Sequence, residues 1–302
     1  MDVSSSPVAT TRSGNKVEQV TAHHYRSSDG LDLVADVAGP AAAPGVVLLH
    51  GGGQTRHSWS GAMLALVARG YRVVSFDARG HGDSGWSDDG AYSLDDRVAD
   101  LRVIVADFKG RYALVGASLG GATAIHAVAG GLTPTALVLV DIVPQPEASG
   151  VDRIVAFMRA NPDGFADLEE ASSAVAAYNP LRPPPRDTSG LMRNLRLREN
   201  GRLYWHWDPR ITQTRSTDHQ RVVQRSAAAL ARAGELSVML VRGLSSDVVS
   251  DAGVEAFRSQ LPSLEVANVS GAGHMVAGDR NDAFNTSMIE FLVRHLPVTT
   301  SV

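Results

Sequence analysis

The stretch LVGASLGG at 114–121 sets Ser118 between Gly116 and Gly120, directly after an apolar run. A serine on a strand–turn–helix corner lifts its Oγ above the sheet edge only when the residues two before and two after are small, because the turn is crowded. The competing reading is a plain helix N-cap, so the rest of the chain has to decide. A nucleophilic serine needs a base, an acid to hold that base, and N–H donors for a developing oxyanion. On such a corner the chain order is serine, then acid after a late strand, then histidine near the end. His274 in SGAGHMVAGD and Asp247 in VRGLSSDVVS satisfy that order, with Asp141 at the end of ALVLVD and Asp251 as competing acids. The expected oxyanion donors are the amide of Leu119, next to the serine, and that of Gly52 in HGGGQTRHSW, with Gly53 nearly as suitable. A glycine-rich loop after a strand could instead cradle phosphate, but this one carries neither G-x-G-x-x-G nor a P-loop lysine.

These residues need strands and turns to carry them. Two alternating segments around 20–25 and 31–37 flank SSDG, a hairpin turn. Continuous apolar runs follow at 45–50, 71–76, 111–116, 136–141, 237–243 and 264–270, with helical patterns between them. Continuous rather than alternating apolarity means strands covered on both faces, as in a parallel sheet with crossover helices. Between 144 and 236 the strand rhythm stops, and helical stretches, the break RPPPR and the aromatic patch YWHWDP take its place. A loop of that length needs structure of its own, so the interval is expected to be a helical insertion. The expected organisation is a tail at 1–16, a core at 17–143 and 237–302, and a cap at 144–236.

Composition narrows the function. A net charge of −4 provides no basic field for a polyanion, so no nucleic-acid partner is expected. Cysteine is absent, which excludes a thiolate nucleophile, disulfides and Cys-ligated metals. His23 and His24 are adjacent on a strand and point to opposite faces, so they cannot share an ion, and no metal or cofactor is expected. Lys16 and Lys109 are the only lysines, a balance that suits GC-rich coding, as expected of a bacterial chain, better than any binding role. The first sixteen residues lack the apolar core of a secretory signal, and no window approaches a membrane span. The expected setting is cytoplasmic, with a small-molecule substrate and no membrane partner.

Taken together, HGGG (50–53), DARGHGDS (77–84), GASLGG (116–121), RGLSSDVVS (242–250) and GAGHMVAGD (271–279) resemble the α/β-hydrolase superfamily from about Tyr25 to Leu296. The chain is most similar to the capped branch that holds small-ester, epoxide and carbon–carbon bond hydrolases. The resemblance implies a mostly parallel eight-stranded sheet with helices on both faces and a helical cap. Epoxide hydrolases and haloalkane dehalogenases of this shape use an aspartate nucleophile, so Ser118 favours acyl transfer, with a carboxylic ester as the leading substrate. Carbon–carbon bond hydrolysis, which would call for a pocket arginine such as Arg193, Arg196 or Arg198, remains an alternative. So do cofactor-free perhydrolysis and a non-catalytic ligand-binding role. Trp205, Trp207, Tyr204, Phe157 and Met158 in the cap point to an apolar or aromatic substrate group, or form the cap's own core. His50 is expected to hold the glycine loop, His81 and Arg79 to be scaffolding with Asp77 and Arg79 as possible ion-pair partners, and His126 to be packed.

Overall fold

The computed structural model describes residues 19–179, 188–213, 216–276 and 281–298. The expected tail at 1–16 and the break at 182–186 lie outside them, as do 277–279 of the last motif.

The apolar runs form one eight-stranded sheet. Its strands are β1 (Thr21–Arg26), β2 (Asp32–Ala38), β3 (Gly45–Leu49), β4 (Arg72–Phe76), β5 (Tyr112–Ala117), β6 (Ala136–Val140), β9 (Ser237–Gly243) and β10 (Glu265–Val269). The spatial order is β1-β2-β4-β3-β5-β6-β9-β10, and every pairing from β4 to β10 is parallel. The opening hairpin β1–β2 is antiparallel and joins β4 antiparallel.

Alternate side chains of each central strand enter separate cores. Val47, Leu49, Leu114, Leu137, Leu139 and Leu240 pack with α2 (Leu94–Val105), α3 (Leu119–Ala129) and α7 (Asp251–Gln260). Val46, Leu48, Val115, Val138 and Val241 pack with Trp59 and Met63 of the α1 region (α1, Ser60–Val67) and with Phe284, Phe291 and Leu292 of α8 (Asn281–His295). Both faces are covered, which is why these strands read as unbroken apolar runs. Each fully buried Leu or Val adds about 1.5–3 kcal/mol of hydrophobic stabilisation before the entropy of ordering is subtracted.

Between β6 and β9 the chain leaves the sheet as α4 (Ala148–Arg159), α5 (Leu168–Tyr178), a short antiparallel pair β7 (Leu195–Leu197) and β8 (Leu203–Trp205), and α6 (Ser216–Leu230). Two features differ from the expected helical cap at 144–236. The β7–β8 pair makes it mixed. In addition, Val223, Ala227 and Leu230 of α6 pack in the same core as α3. Packing therefore groups α6 with the sheet, and the inserted layer proper ends before it. That layer has its own small core of Phe165, Ala171, Leu195, Leu203, Trp205, Trp207 and Ile211, with Tyr92 contributed from below.

The closest backbone approach lies beneath Ser118. A Cβ on Gly120 would stand 2.3 Å from the Leu49 carbonyl oxygen, and one on Gly116 would stand 2.6 Å from the Gly120 carbonyl carbon. Backbone cannot yield as a flexible side chain can, so Gly120→Ala is expected to lower the unfolding free energy by about 2 kcal/mol or more in urea titration. Gly61, inside α1 with nothing within 4 Å of its Cβ position, is the control. Gly61→Ala is expected to gain up to about 1 kcal/mol.

Candidate active site

Ser118 occupies the corner between β5 and α3 with φ 45° and ψ −112°, a left-handed conformation rare for a residue with a side chain. Its amide donates to the Val140 carbonyl at 3.0 Å and its carbonyl starts α3 by accepting from Ala122 at 2.9 Å. The side chain caps nothing, so the N-cap reading of this serine does not hold and Oγ is left for other work. Strain of this kind costs on the order of 1–3 kcal/mol and persists where the surroundings enforce it.

A second left-handed residue, Asp141 with φ 49°, ends the adjacent strand β6 and is fully buried. Three donors converge on its carboxylate. The Gly243 amide reaches Oδ1 at 3.1 Å, while the Ser246 hydroxyl at 2.5 Å and His274 Nδ1 at 2.7 Å reach Oδ2. This corrects the expectation for the acid. Asp247 does not meet His274; its half-exposed carboxylate pairs with Arg153 of α4 at 2.8 Å. Asp251 pairs with Arg242. The reason is register. β6 and β9 are neighbours with Val140 opposite Val241, so the first residue beyond β6 lies beside the turn after β9. There Ser246 turns inward to support Asp141, and Asp247 is carried outward. Donation from Nδ1 leaves the lone pair of His274 on Nε2.

The glycine loop after β3 is held by side chains at three successive peptides. His50 Nδ1 donates to the Gly51 carbonyl at 2.8 Å, which also accepts from the Gln54 amide at 3.1 Å. In a trans peptide the C=O and following N–H point in opposite directions, so fixing Gly51 C=O aims the Gly52 N–H the other way. The Gly53 amide donates to His81 Nε2 at 3.2 Å, and the Gly53 carbonyl accepts from His206 Nε2 at 3.3 Å. Gly53, with φ 74°, therefore drops out as an oxyanion donor, because its N–H is already used. Within the described residues the amides of Gly52 and of Leu119, first in α3, make no hydrogen bond. The two residues adjoin: a Cβ on Gly52 would be 3.8 Å from Leu119 Cδ2, and one on Gly51 would be 3.5 Å from Ser118 Cβ.

These groups open onto a cavity of about 400 Å³ between the sheet and the inserted layer. Its lining includes Gly51, Gly52, Gly53, Ser118 and His274 below, and Ile154, Phe157, Met158, Tyr178, Trp205 and Trp207 above. Trp205 and Trp207 stack at 4.9 Å between ring centroids, and Phe157 stacks on Tyr178 at 4.3 Å. Tyr204 is not part of this wall. It alternates with Trp205 along β8 and lies outside under the Arg198 guanidinium at 4.1 Å. Among the described residues no Arg, Lys, Asp or Glu lines the cavity.

The loop at 77–84 is the platform for both layers. Asp77 is buried and pairs with Arg56 rather than Arg79. Arg79 instead forms a bidentate pair with Asp100, both bonds at 2.7 Å, and a further pair with Asp29. The expected Asp77–Arg79 partnership is thus replaced by Asp77 with Arg56 and by Arg79 with Asp100 and Asp29. His126 bonds Asp95 and Ser226 away from the site. Among the described residues no group of three or more His, Asp or Glu could hold a metal, and no helix is long and apolar enough to cross a membrane.

Residues 46–286 match the model of the alpha/beta hydrolase family. Esterase Rv0045c of Mycobacterium tuberculosis is 31% identical over 249 residues, covering 79% of each chain. A crystal structure of that esterase superposes with a TM-score of 0.73 at 26% identity, covering 92% of this chain and 93% of that one. E-2-(acetamidomethylene)succinate hydrolase shares the fold, with a TM-score of 0.78 at 22% identity over 91% of this chain and 99% of that one. The chain belongs to the α/β-hydrolase family. It is a hydrolase with an inserted layer over the carboxyl ends of its strands.

Burial pushes the His206 imidazole down to about 3 and holds His50 and His81 below the ordinary range, His81 far below; neighbouring imidazoles add to the effect on His81 and His206. All three stay neutral in the folded protein near neutral pH. The unfolded chain binds a proton on each below about pH 6.5, which the folded chain refuses until its own lower value is reached. Their contribution to stability is therefore whole above about pH 6.5 and is lost as pH falls, by up to about 1.4 kcal/mol per pH unit for each histidine. Calorimetry is expected to show Tm falling between pH 7 and pH 5; a flat Tm there would contradict the buried neutral state.

Proposed function

We propose that the protein is a carboxylic-ester hydrolase working through an acyl-enzyme on Ser118, with His274 as base and Asp141 as the residue that orients it. The observation that carries this reading is the Asp141–His274 hydrogen bond at 2.7 Å on a histidine that lines the same cavity as the left-handed Ser118. In the first step Ser118 Oγ attacks the ester carbonyl carbon while His274 Nε2 takes the hydroxyl proton. The oxyanion is met by the Gly52 and Leu119 amides, the latter at the positive end of α3. His274 then returns the proton to the departing alkoxide. Water, deprotonated by the same nitrogen, opens the acyl-enzyme and restores Ser118.

The similarity to an esterase along most of the chain supports this class of substrate. A lining rich in aromatic and aliphatic side chains, with no Arg, Lys, Asp or Glu among the described residues, supports a neutral ester with an apolar or aromatic group. Aromatic surface of this kind gains about 0.5–1.5 kcal/mol per stacked ring beyond burial. The arginine needed for the carbon–carbon hydrolase alternative is missing from the described lining: Arg196 instead pairs with Asp83 at 2.6 Å.

Hydrolysis of neutral p-nitrophenyl esters of graded acyl length tests the reading. Ser118→Ala is expected to abolish turnover. Asp141→Asn is expected to lower kcat by about 10⁴-fold. Asp247→Asn, which breaks only a half-exposed ion pair, is expected to stay within about threefold. Near-normal kcat in Asp141→Asn with collapse in Asp247→Asn would return the acid to the β9 loop. An acyl-length optimum is expected at a size that 400 Å³ admits.

A further inference from the structure

The three histidines on the glycine loop do not come from the same part of the molecule. His50 precedes the loop, and His81 belongs to the 77–84 platform. His206 comes from the inserted layer, 153 residues from Gly53 in sequence, and is 1% exposed. Its two ring nitrogens have separate tasks. Nδ1 accepts from the Gly82 amide at 2.6 Å, which docks the inserted layer on the platform. Because that bond requires an unprotonated Nδ1, the neutral ring carries its hydrogen on Nε2, and Nε2 donates to the Gly53 carbonyl at 3.3 Å. Three glycines in succession have little conformational preference of their own. Each peptide of this loop consequently depends on its external partner for orientation, and the last partner arrives only with the inserted layer.

We propose that His206 is a positioning residue of the oxyanion site: by holding the Gly53 carbonyl from the inserted layer, it makes correct seating of that layer a condition for a formed oxyanion loop. The inference rests on the serine-hydrolase reading for its kinetic consequence. Substrate entering the cavity touches Trp205 and Trp207, the two neighbours of His206 in sequence. The segment that lines the cavity and the segment that holds the last peptide of the glycine loop are thus the same three residues. Several other contacts also seat the layer. The Asp208 amide donates to the Gly80 carbonyl at 2.9 Å, the Tyr92 hydroxyl donates to Asp208 at 2.6 Å, and Arg196 pairs with Asp83. Loss of the Gly53 bond alone should therefore leave the layer docked.

Two conservative substitutions separate the tasks of the ring. Gln carries an amide N–H at about the reach of Nε2 and can keep the bond to Gly53. Asn carries a carbonyl oxygen at about the reach of Nδ1 and can keep the bond to Gly82. His206→Asn is expected to lower kcat on a neutral p-nitrophenyl ester by about 10-fold or more with KM within about twofold, since misplacing an oxyanion donor acts on the transition state. His206→Gln is expected to stay within about threefold. Equal kcat in the two variants, at any level, or loss in Gln with retention in Asn, overturns the proposal. Two readouts need no turnover. Amide exchange at Gly53 and Gln54 should quicken in His206→Asn and not in His206→Gln, and equal exchange in the two overturns it. In the wild type, ¹⁵N-histidine NMR should find His206 with its hydrogen on Nε2, and hydrogen on Nδ1 overturns it. A wild type without Ser118-dependent turnover would sink the hydrolase reading itself, while the exchange and tautomer results would still decide the role of His206 in the loop.

Discussion

Less than a methyl group's width separates the first turn of α3 from the end of β3, and the Leu49 carbonyl fills the space a Gly120 side chain would need. That close approach carries several features at once. It forces the chain to reverse at Ser118, which accounts for the left-handed φ of a residue with a side chain. It brings the first amide of α3 beside Gly52 at the head of the glycine loop. It also fixes the height of Ser118 relative to β6, whose last carbonyl accepts the Ser118 amide. The proposed nucleophile, its oxyanion donors and the strand bearing Asp141 share one packing contact, so they cannot drift independently.

Around this contact the buried charges are mostly paired, although Arg97, beside Leu49 and Gly120, keeps Nε and Nη1 without a hydrogen-bond partner among the described residues. Arg79 and Asp100 are both 1% exposed and satisfy one another through two bonds. Removing either alone would leave a buried charge, at a cost of about 3–5 kcal/mol. Their role is to hold the 77–92 segment rigid, and on that segment the inserted layer rests through His206, Asp208 and Arg210. The cavity is lined largely by apolar groups because the charged residues nearby are engaged in this platform beneath it, not because charge is scarce in the region.

Much of this was legible in the chain. Alternating and continuous apolar runs marked every strand of the large sheet, since burial on one or two faces leaves a direct trace in residue type. Small residues at 116, 120 and 121 marked the corner, because close approach excludes side chains whatever the context. The carboxylate partner of His274 was not legible in the same way. Asp141 and Asp247 both follow strands of the right kind, and the choice between them depends on the lateral register of β6 against β9 and on a left-handed φ, neither of which has a residue signature. An aspartate closing a strand buried on both faces, as in ALVLVD, was the available clue: a carboxylate there must find donors. The excess of Gly53 over need, the outward turn of Tyr204 and the affiliation of α6 with the sheet were hidden for a similar reason. The Gly53 and α6 contacts depend on partners far away in sequence, and the turn of Tyr204 depends on which side of β8 faces the cavity.

The insertion between β6 and β9 has a topological consequence. Asp141 and Gly243, joined by a hydrogen bond, are 102 residues apart, and Asp141 and His274 are 133 apart. Such contacts must close long loops, and the entropy of closure delays them relative to the local hairpin and the neighbouring strands of the first half. The first half of the chain can align β3, β5 and α3 early and so shape the corner at Ser118. The imidazole reaches it only after the inserted layer has been spanned and the last two parallel strands have joined. In a chain emerging from the ribosome, the segment that carries the serine is made long before the group that would activate it, and completion of the sheet is what brings them together.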